Sequence, residues 1–169
     1  MIVTDPEELA RIVGGRQERG ERVVFTNGVF DILHVGHARY LAEARALGDA
    51  LLVAVNADSS VRQFKSDKRP IVPEAERMEL IDALRVVDYV TLFDTRTPVP
   101  LIECVRPALY VKGGDYRVDE LPEAPVVRSY GGEVQILSLI AGRSTTNVIA
   151  NICAVYAPQN ETGPETPVH

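Results

Sequence analysis

Short apolar runs alternate with helix-period stretches along most of this chain, and that alternation constrains the fold more than any other feature. Val23-Val24-Phe25-Thr26 is a short β-branched run. Leu51 to Val55 is continuously apolar, as a central parallel strand covered on both faces requires. Tyr89 to Phe93, Leu109 to Val111 and Val134 to Leu139 read as three further strands. Asp5-Pro6 followed by Glu7-Glu8 reads as an N-cap, a first-turn proline and acidic first-turn residues, opening a helix towards Arg19 that Gly20 stops. A second helix is expected from Val35 to Leu47, with Gly48 as its stop. Pro73-Glu74 opens a third, with Met78, Ile81, Leu84 and Arg85 along its stripe. Pro98 to Val105 is a short fourth helix, and Ser144 begins a last one running to about Tyr156. Residues 56–72 are polar and read as a long loop, the kind that is usually functional or mobile. Strand and helix alternating through short connections give an α/β fold, a doubly wound parallel sheet of five strands with helices on both faces. Such sheets bind ligands at the carboxyl ends of their strands, where the strand order reverses.

The 169 residues and 18.6 kDa suit one domain, expected over residues 1–157. Residues 158–169, rich in Pro, Thr, Glu and Gly, are expected to form a disordered tail. Eighteen basic against 24 acidic residues leave a net charge of −6, which argues against a general grip on nucleic acid or an anionic membrane but not against a local phosphate site. Cys104 and Cys153 lie outside any C-x-x-C spacing, so neither zinc nor a disulfide framework is expected. The first residues lack the basic and apolar regions of a signal peptide, and the run Ala50 to Val55 is too short to cross a bilayer. A cytoplasmic protein is the expectation.

The most informative segment is Thr26-Asn27-Gly28-Val29-Phe30-Asp31-Ile32-Leu33-His34-Val35-Gly36-His37. It lies where the first strand hands over to a helix, and a helix N-terminus presents unpaired N–H groups and partial positive charge to an anion. His34 and His37 are three apart, so near a first helical turn they reach the same side, and Gly36 lets a ligand approach the backbone. Two imidazoles aimed at one phosphate can donate to oxygens whose charge grows during displacement.

His34-Val35-Gly36-His37 is an HxGH signature, and Gly28-Val29-Phe30-Asp31 matches the G-x-F-D before it in cytidylyltransferase-like nucleotidyltransferases. Val55-Asn56-Ala57-Asp58, Lys68-Arg69-Pro70, Glu76-Arg77-Met78, Val111-Lys112-Gly113-Gly114-Asp115-Tyr116 and Ser144-Thr145-Thr146-Asn147 follow in order. Over about residues 20–152 the chain resembles the adenylyltransferase part of ADP-heptose synthase. The resemblance implies a Rossmann-like sheet and transfer of AMP from ATP to D-glycero-β-D-manno-heptose 1-phosphate, releasing pyrophosphate. It also implies a homodimer. The length leaves no room for the sugar-kinase domain that such enzymes often carry, so a separate kinase and phosphatase are expected to supply the substrate.

The attacking phosphate oxygen is already ionised at neutral pH, so catalysis is expected from positioning and charge stabilisation rather than from a general base. His34 and His37 are the leading donors to the α-phosphate, and by resemblance Lys65 or Lys68 folds over the phosphates. Thr26, Asn27, Gly28, Val29, Phe30 and Gly36 are expected to border the nucleotide, with Lys112, Gly113, Gly114 and Asp115 on the loop after the fourth strand. Ser144, Thr145 and Thr146 are expected at the triphosphate, and Arg77 matches a helix arginine that reaches phosphate. Asp31 and Asn56 are candidates for the acceptor. Each has a structural alternative: Ser or Thr as an N-cap, Arg77 in a surface ion pair, the lysines merely solvated, Asp31 as a turn residue. Mg²⁺ is expected to arrive with ATP, because no carboxylate cluster marks a metal cage.

One feature departs from the wider family, whose members carry an arginine several residues before Ser-Thr. Here that position is Leu139, and Arg143 directly precedes Ser144. Two alternatives stay open: a CTP-dependent enzyme acting on glycerol 3-phosphate or a similar phosphorylated alcohol, and a non-catalytic nucleotide-binding module.

Overall fold

The structure, a computed structural model, describes residues 1–138, 142 and 144–156. The elements run α1 (Pro6–Glu18), β1 (Val23–Gly28), α2 (Val35–Arg45), β2 (Ala50–Asn56), α3 (Asp58–Phe64), α4 (Glu74–Asp82) and β3 (Tyr89–Phe93). Then come α5 (Val99–Val105), β4 (Leu109–Gly113), a 3-10 turn (Val118–Glu120), α6 (Ala124–Ser129), β5 (Glu133–Leu137) and α7 (Thr145–Tyr156). All five strands are parallel in the order β3-β2-β1-β4-β5, so the sheet grows one way from β1 and then returns to its other side. That reversal puts the switch point between β1 and β4, which pair from Val24 and Leu109 to Thr26 and Val111.

Successive strand residues point to opposite faces, and each face has its own core. Val23, Phe25, Leu52, Ala54 and Tyr110 pack with Leu9 and Val13 of α1 and Leu101, Ile102 and Val105 of α5. Val24, Leu51, Val53, Val55 and Val111 pack on the other side with Tyr40, Leu41 and Ala44 of α2 and Ile81 of α4. Every residue of β2 is buried, which explains its uninterrupted apolar sequence.

The structure differs from the sequence reading in four places. Residues 58–64, read as part of a loop, form α3, which buries Ser60 and Val61. Between β4 and β5, where no element was expected, the 3-10 turn and α6 bury Ala124 and Val127 behind Pro122 and Pro125. Strand β5 begins at Glu133 rather than 134 and covers Glu133–Leu137, residue 139 of the expected strand lying outside the described residues, and α4 ends at Asp82 rather than near Arg85. The tail expected at 158–169 lies outside the described residues. Among the described residues no helix is long and apolar enough to cross a membrane.

Gly48 joins α2 to β2 at a close approach. A Cβ there would stand 2.5 Å from the Arg22 carbonyl oxygen and 2.7 Å from Val24 Cγ2. Gly48→Ala is therefore expected to destabilise the fold by about 1–3 kcal/mol, the range for overpacking, read as a lower urea midpoint with an unchanged m-value.

Candidate active site

Asn27 and Lys112 meet at the switch point from the carboxyl-terminal parts of β1 and β4. Asn27 closes β1, and its Oδ1 accepts from the Tyr110 hydroxyl at 2.8 Å and from Lys112 Nζ at 3.2 Å. Two donors on Oδ1 fix the amide orientation and leave the Nδ2 hydrogens to the cleft that Asn27 lines. Burial pushes the Tyr110 hydroxyl up and holds Lys112 below its ordinary value, with the carboxylate of Glu123 opposing the effect on the lysine. Gly28 has no room for a side chain, because a Cβ would come within 2.9 Å of the Phe30 ring. Phe30 itself is held at φ 49°, a left-handed conformation that costs an aromatic residue energy and turns the chain into α2.

His34 caps α2. Its Nδ1 accepts from the Gly36 amide at 3.1 Å, which sets the proton of the neutral ring on Nε2 and makes that nitrogen a donor. The His34 and His37 rings stack with centroids 3.9 Å apart, and His37 meets Phe30 edge-on at 5.3 Å. Burial, with the adjacent His34 adding to it, pulls the His37 pKa from 6.5 down to about 4, so the ring is neutral at pH 7. Its Nδ1 is buried without a partner among the described residues.

Two hollows are lined by this pair, and a third adjoins one of them. One of about 140 Å³ is lined by Asn27, Gly28, Val29, Phe30, His37 and Lys112, with Tyr40 and Gly113 completing it. A larger one of about 330 Å³ shares Asn27, Gly28, Val29 and Lys112 with the first and reaches Asn56, Lys65, Arg96 and Glu123. The third, of about 130 Å³, brings His34 together with Ser144, Asn147, Val148 and Asn151 of the last helix and its approach. Ser144 Oγ accepts from the Asn147 amide at 3.1 Å, so it is also the N-cap of α7, and Thr145 Oγ1 donates to the Ile32 carbonyl at 3.5 Å. Thr146 is exposed there, and Gly36 is buried in the first turn of α2. Gly114, at φ 134°, and exposed Asp115 lie just past β4. Lys68 is exposed on the segment after α3. Leu139 and Arg143 lie outside the described residues.

Three residues expected to touch ligand hold the scaffold instead. Arg77 is fully buried and donates to the carbonyls of Val72 (2.9 Å), Val29 (2.5 Å) and Asn56 (2.8 Å) and to Asp58 Oδ1 (2.6 Å). Asp31 is 2% exposed, pairs with Arg69 and accepts from the amides of Ile71 (2.8 Å) and Val72 (2.9 Å). Thr26 is fully buried beneath the cleft, its hydroxyl 2.6 Å from that of Tyr40. Sequence reasoning overlooked Tyr40, Tyr110, Arg96, Asn151 and Glu123. The polar residues lie outside recognisable motifs, and the tyrosines read as ordinary core.

Residues 25–150 match the family model described as cytidylyltransferase-like. The chain belongs to the cytidylyltransferase-like family. Among curated relatives, the bifunctional protein HldE of Geobacter sulfurreducens is 47% identical over 157 residues, covering 93% of this chain and 32% of that protein. The bifunctional protein HldE of Yersinia enterocolitica is 49% identical over 150 residues, covering 89% and 32%. This cytidylyltransferase-like chain thus spans about a third of the length of those relatives. A crystal structure of the lipopolysaccharide core biosynthesis protein from Thermoplasma volcanium superposes with a TM-score of 0.59 at 35% identity, covering 72% of this chain and 98% of that one.

Two outcomes follow from this geometry. Arg77→Met should cost about 3–5 kcal/mol in urea denaturation, as breaking a buried charge cluster does, whereas a surface phosphate ligand would change stability by less than about 0.5 kcal/mol. His37 binds its proton more weakly folded than unfolded, so stability is full above pH 6.5 and falls as the pH drops towards about 4. Imidazole NMR should find one ring titrating near 4, and His37→Asn should flatten the acid limb of a stability–pH curve.

Proposed function

We propose that this chain transfers AMP from ATP to D-glycero-β-D-manno-heptose 1-phosphate, forming ADP-heptose and pyrophosphate. The observation that carries the reading is the stacked pair His34 and His37 at the start of α2, in hollows shared with Lys112 on one side and the cap of α7 on the other. A phosphate oxygen of the sugar attacks the α-phosphorus in line, the bond to the bridging oxygen breaks, and pyrophosphate leaves with the electron pair. His34 Nε2–H and the neutral His37 ring each donate an N–H to the α-phosphate or its bridging oxygen. Ser144, Thr145, Thr146 and the free amides of the α7 start hold the β- and γ-phosphates. Gly36 and Gly28 give close backbone approach, and Lys112, Gly113, Gly114 and Asp115 border the nucleotide from the loop after β4. Lys65 and Asn56 belong to the acceptor hollow, and Lys68 lies on the segment that would have to close over it.

Among the described residues no three His, Cys, Asp or Glu side chains are grouped to hold a metal ion. The reading therefore has Mg²⁺ arrive on the triphosphate, where it neutralises charge, with its ligands coming from the phosphates rather than from this chain. A homodimer in the cytoplasm completes the proposal, on the family resemblance.

Pyrophosphate release should be seen with ATP, Mg²⁺ and the heptose 1-phosphate, and should be far weaker with CTP or with glycerol 3-phosphate. His37→Ala should lower kcat by about 10²- to 10³-fold, the usual cost of one transition-state donor, with a smaller effect on nucleotide affinity. Equal losses in both, or no release by the unaltered protein with any acceptor, would favour a binding module.

A further inference from the structure

Glu123, just before α6, is a buried carboxylate that the phosphate chemistry does not use. It is 3% exposed, its Oε2 has no hydrogen-bond partner among the described residues, and the residue forms part of the wall of the 330 Å³ hollow. The Tyr110 hydroxyl bears on this carboxylate through hydrogen bonding and charge and Lys112 through charge alone, yet the close bonds of both groups go to Asn27 Oδ1 and Oε2 is left without a donor. A buried acceptor without a donor is costly, and at a cleft wall the donor can come from what the cleft binds. That donor is not a phosphate, because a carboxylate repels one. An un-ionised hydroxyl fits, and the same hollow offers Lys65 and Arg96 for an anionic end.

We infer that Glu123 is a specificity-determining residue of the acceptor hollow, its carboxylate accepting hydrogen bonds from the hydroxyls of a phosphorylated polyol or sugar. The inference rests on the proposed transfer to a sugar phosphate and adds what selects the acceptor. An acceptor lacking the right hydroxyl leaves the carboxylate buried and unpaired, so the residue rejects poor acceptors as well as holding good ones.

The test is steady-state pyrophosphate release with the full chain, ATP and Mg²⁺, using the heptose 1-phosphate and a series of its monodeoxy analogues. Wild type should lose about 10- to 100-fold in kcat/KM with at least one analogue, the range for a hydrogen bond to a charged group. Glu123→Ala should raise the acceptor KM by a similar factor, leave the ATP KM within about twofold, and abolish the penalty for that analogue. Glu123→Gln keeps the shape and one acceptor oxygen and should fall between the two. It carries the test if Glu123→Ala does not fold. A residue that only keeps Lys112 charged would instead raise the ATP KM or weaken every acceptor alike, and either result overturns the inference, as would an unchanged acceptor KM. No release by wild type with any sugar phosphate overturns the parent reading itself, whereas normal wild-type turnover with an unaltered analogue penalty in Glu123→Ala overturns this inference alone.

Discussion

The guanidinium of Arg77 ties together four segments: the turn after β1, the end of β2, the first residue of α3 and the stretch leading into α4. Each is a strand end or a loop, so each would carry unpaired carbonyls into the interior without a donor. A planar, permanently charged fork satisfies four acceptors at once, which a lysine in the same place would not. Asp31 does the converse job nearby, collecting two backbone amides and Arg69 on one carboxylate. Buried charges of opposite sign thus fix the rim of the cleft from below, and the turn bearing Phe30 in its left-handed conformation lies directly on that foundation.

The proposed transfer between two phosphorylated molecules requires an acidic protein to concentrate positive potential locally. Charge density is built here from desolvated groups rather than from numbers of cations. Lys112 is held below its ordinary value by burial yet bonded to a neutral amide, and the His37 ring, stacked on that of His34, is uncharged at neutral pH. Such groups gain more from an arriving anion than exposed ones do, because little water remains to screen the contact. The exposed Lys65 can contribute only once chain or ligand covers it.

The sheet was legible because buried parallel strands leave uninterrupted apolar runs, and the histidine pair because its glycine and its place after a strand leave few other uses. Arg77 and Asp31 were misread for a physical reason. A charged residue near a phosphate motif looks the same in sequence whether it faces the ligand or braces the backbone, and only burial and partners decide between them. Helix α3 is seven residues long with two buried positions, too short for a periodic signal, and the six-residue α6, where no element was expected, is shorter still. The sequence motifs marked one wall of the cleft. Arg96 enters the same hollow from the segment after β3, and Glu123 only because the chain then crosses back to the other side of β1.

Helix α7 has no buried residue, and Ile152, Val155 and Tyr156 stand 50%, 72% and 80% exposed, while its first turn supplies Ser144 and Asn147 to the hollow beside His34. An element that gains so little from burial contributes little cooperative free energy to its own docking, so it belongs to the weakly held end of the stability spectrum. Any molecule gripping that first turn and His34 together then acts as a rivet, and its affinity is spent partly on seating the helix. Tightness of ligand capture and rigidity of the carboxyl-terminal helix are, in this protein, one thermodynamic quantity measured at two places.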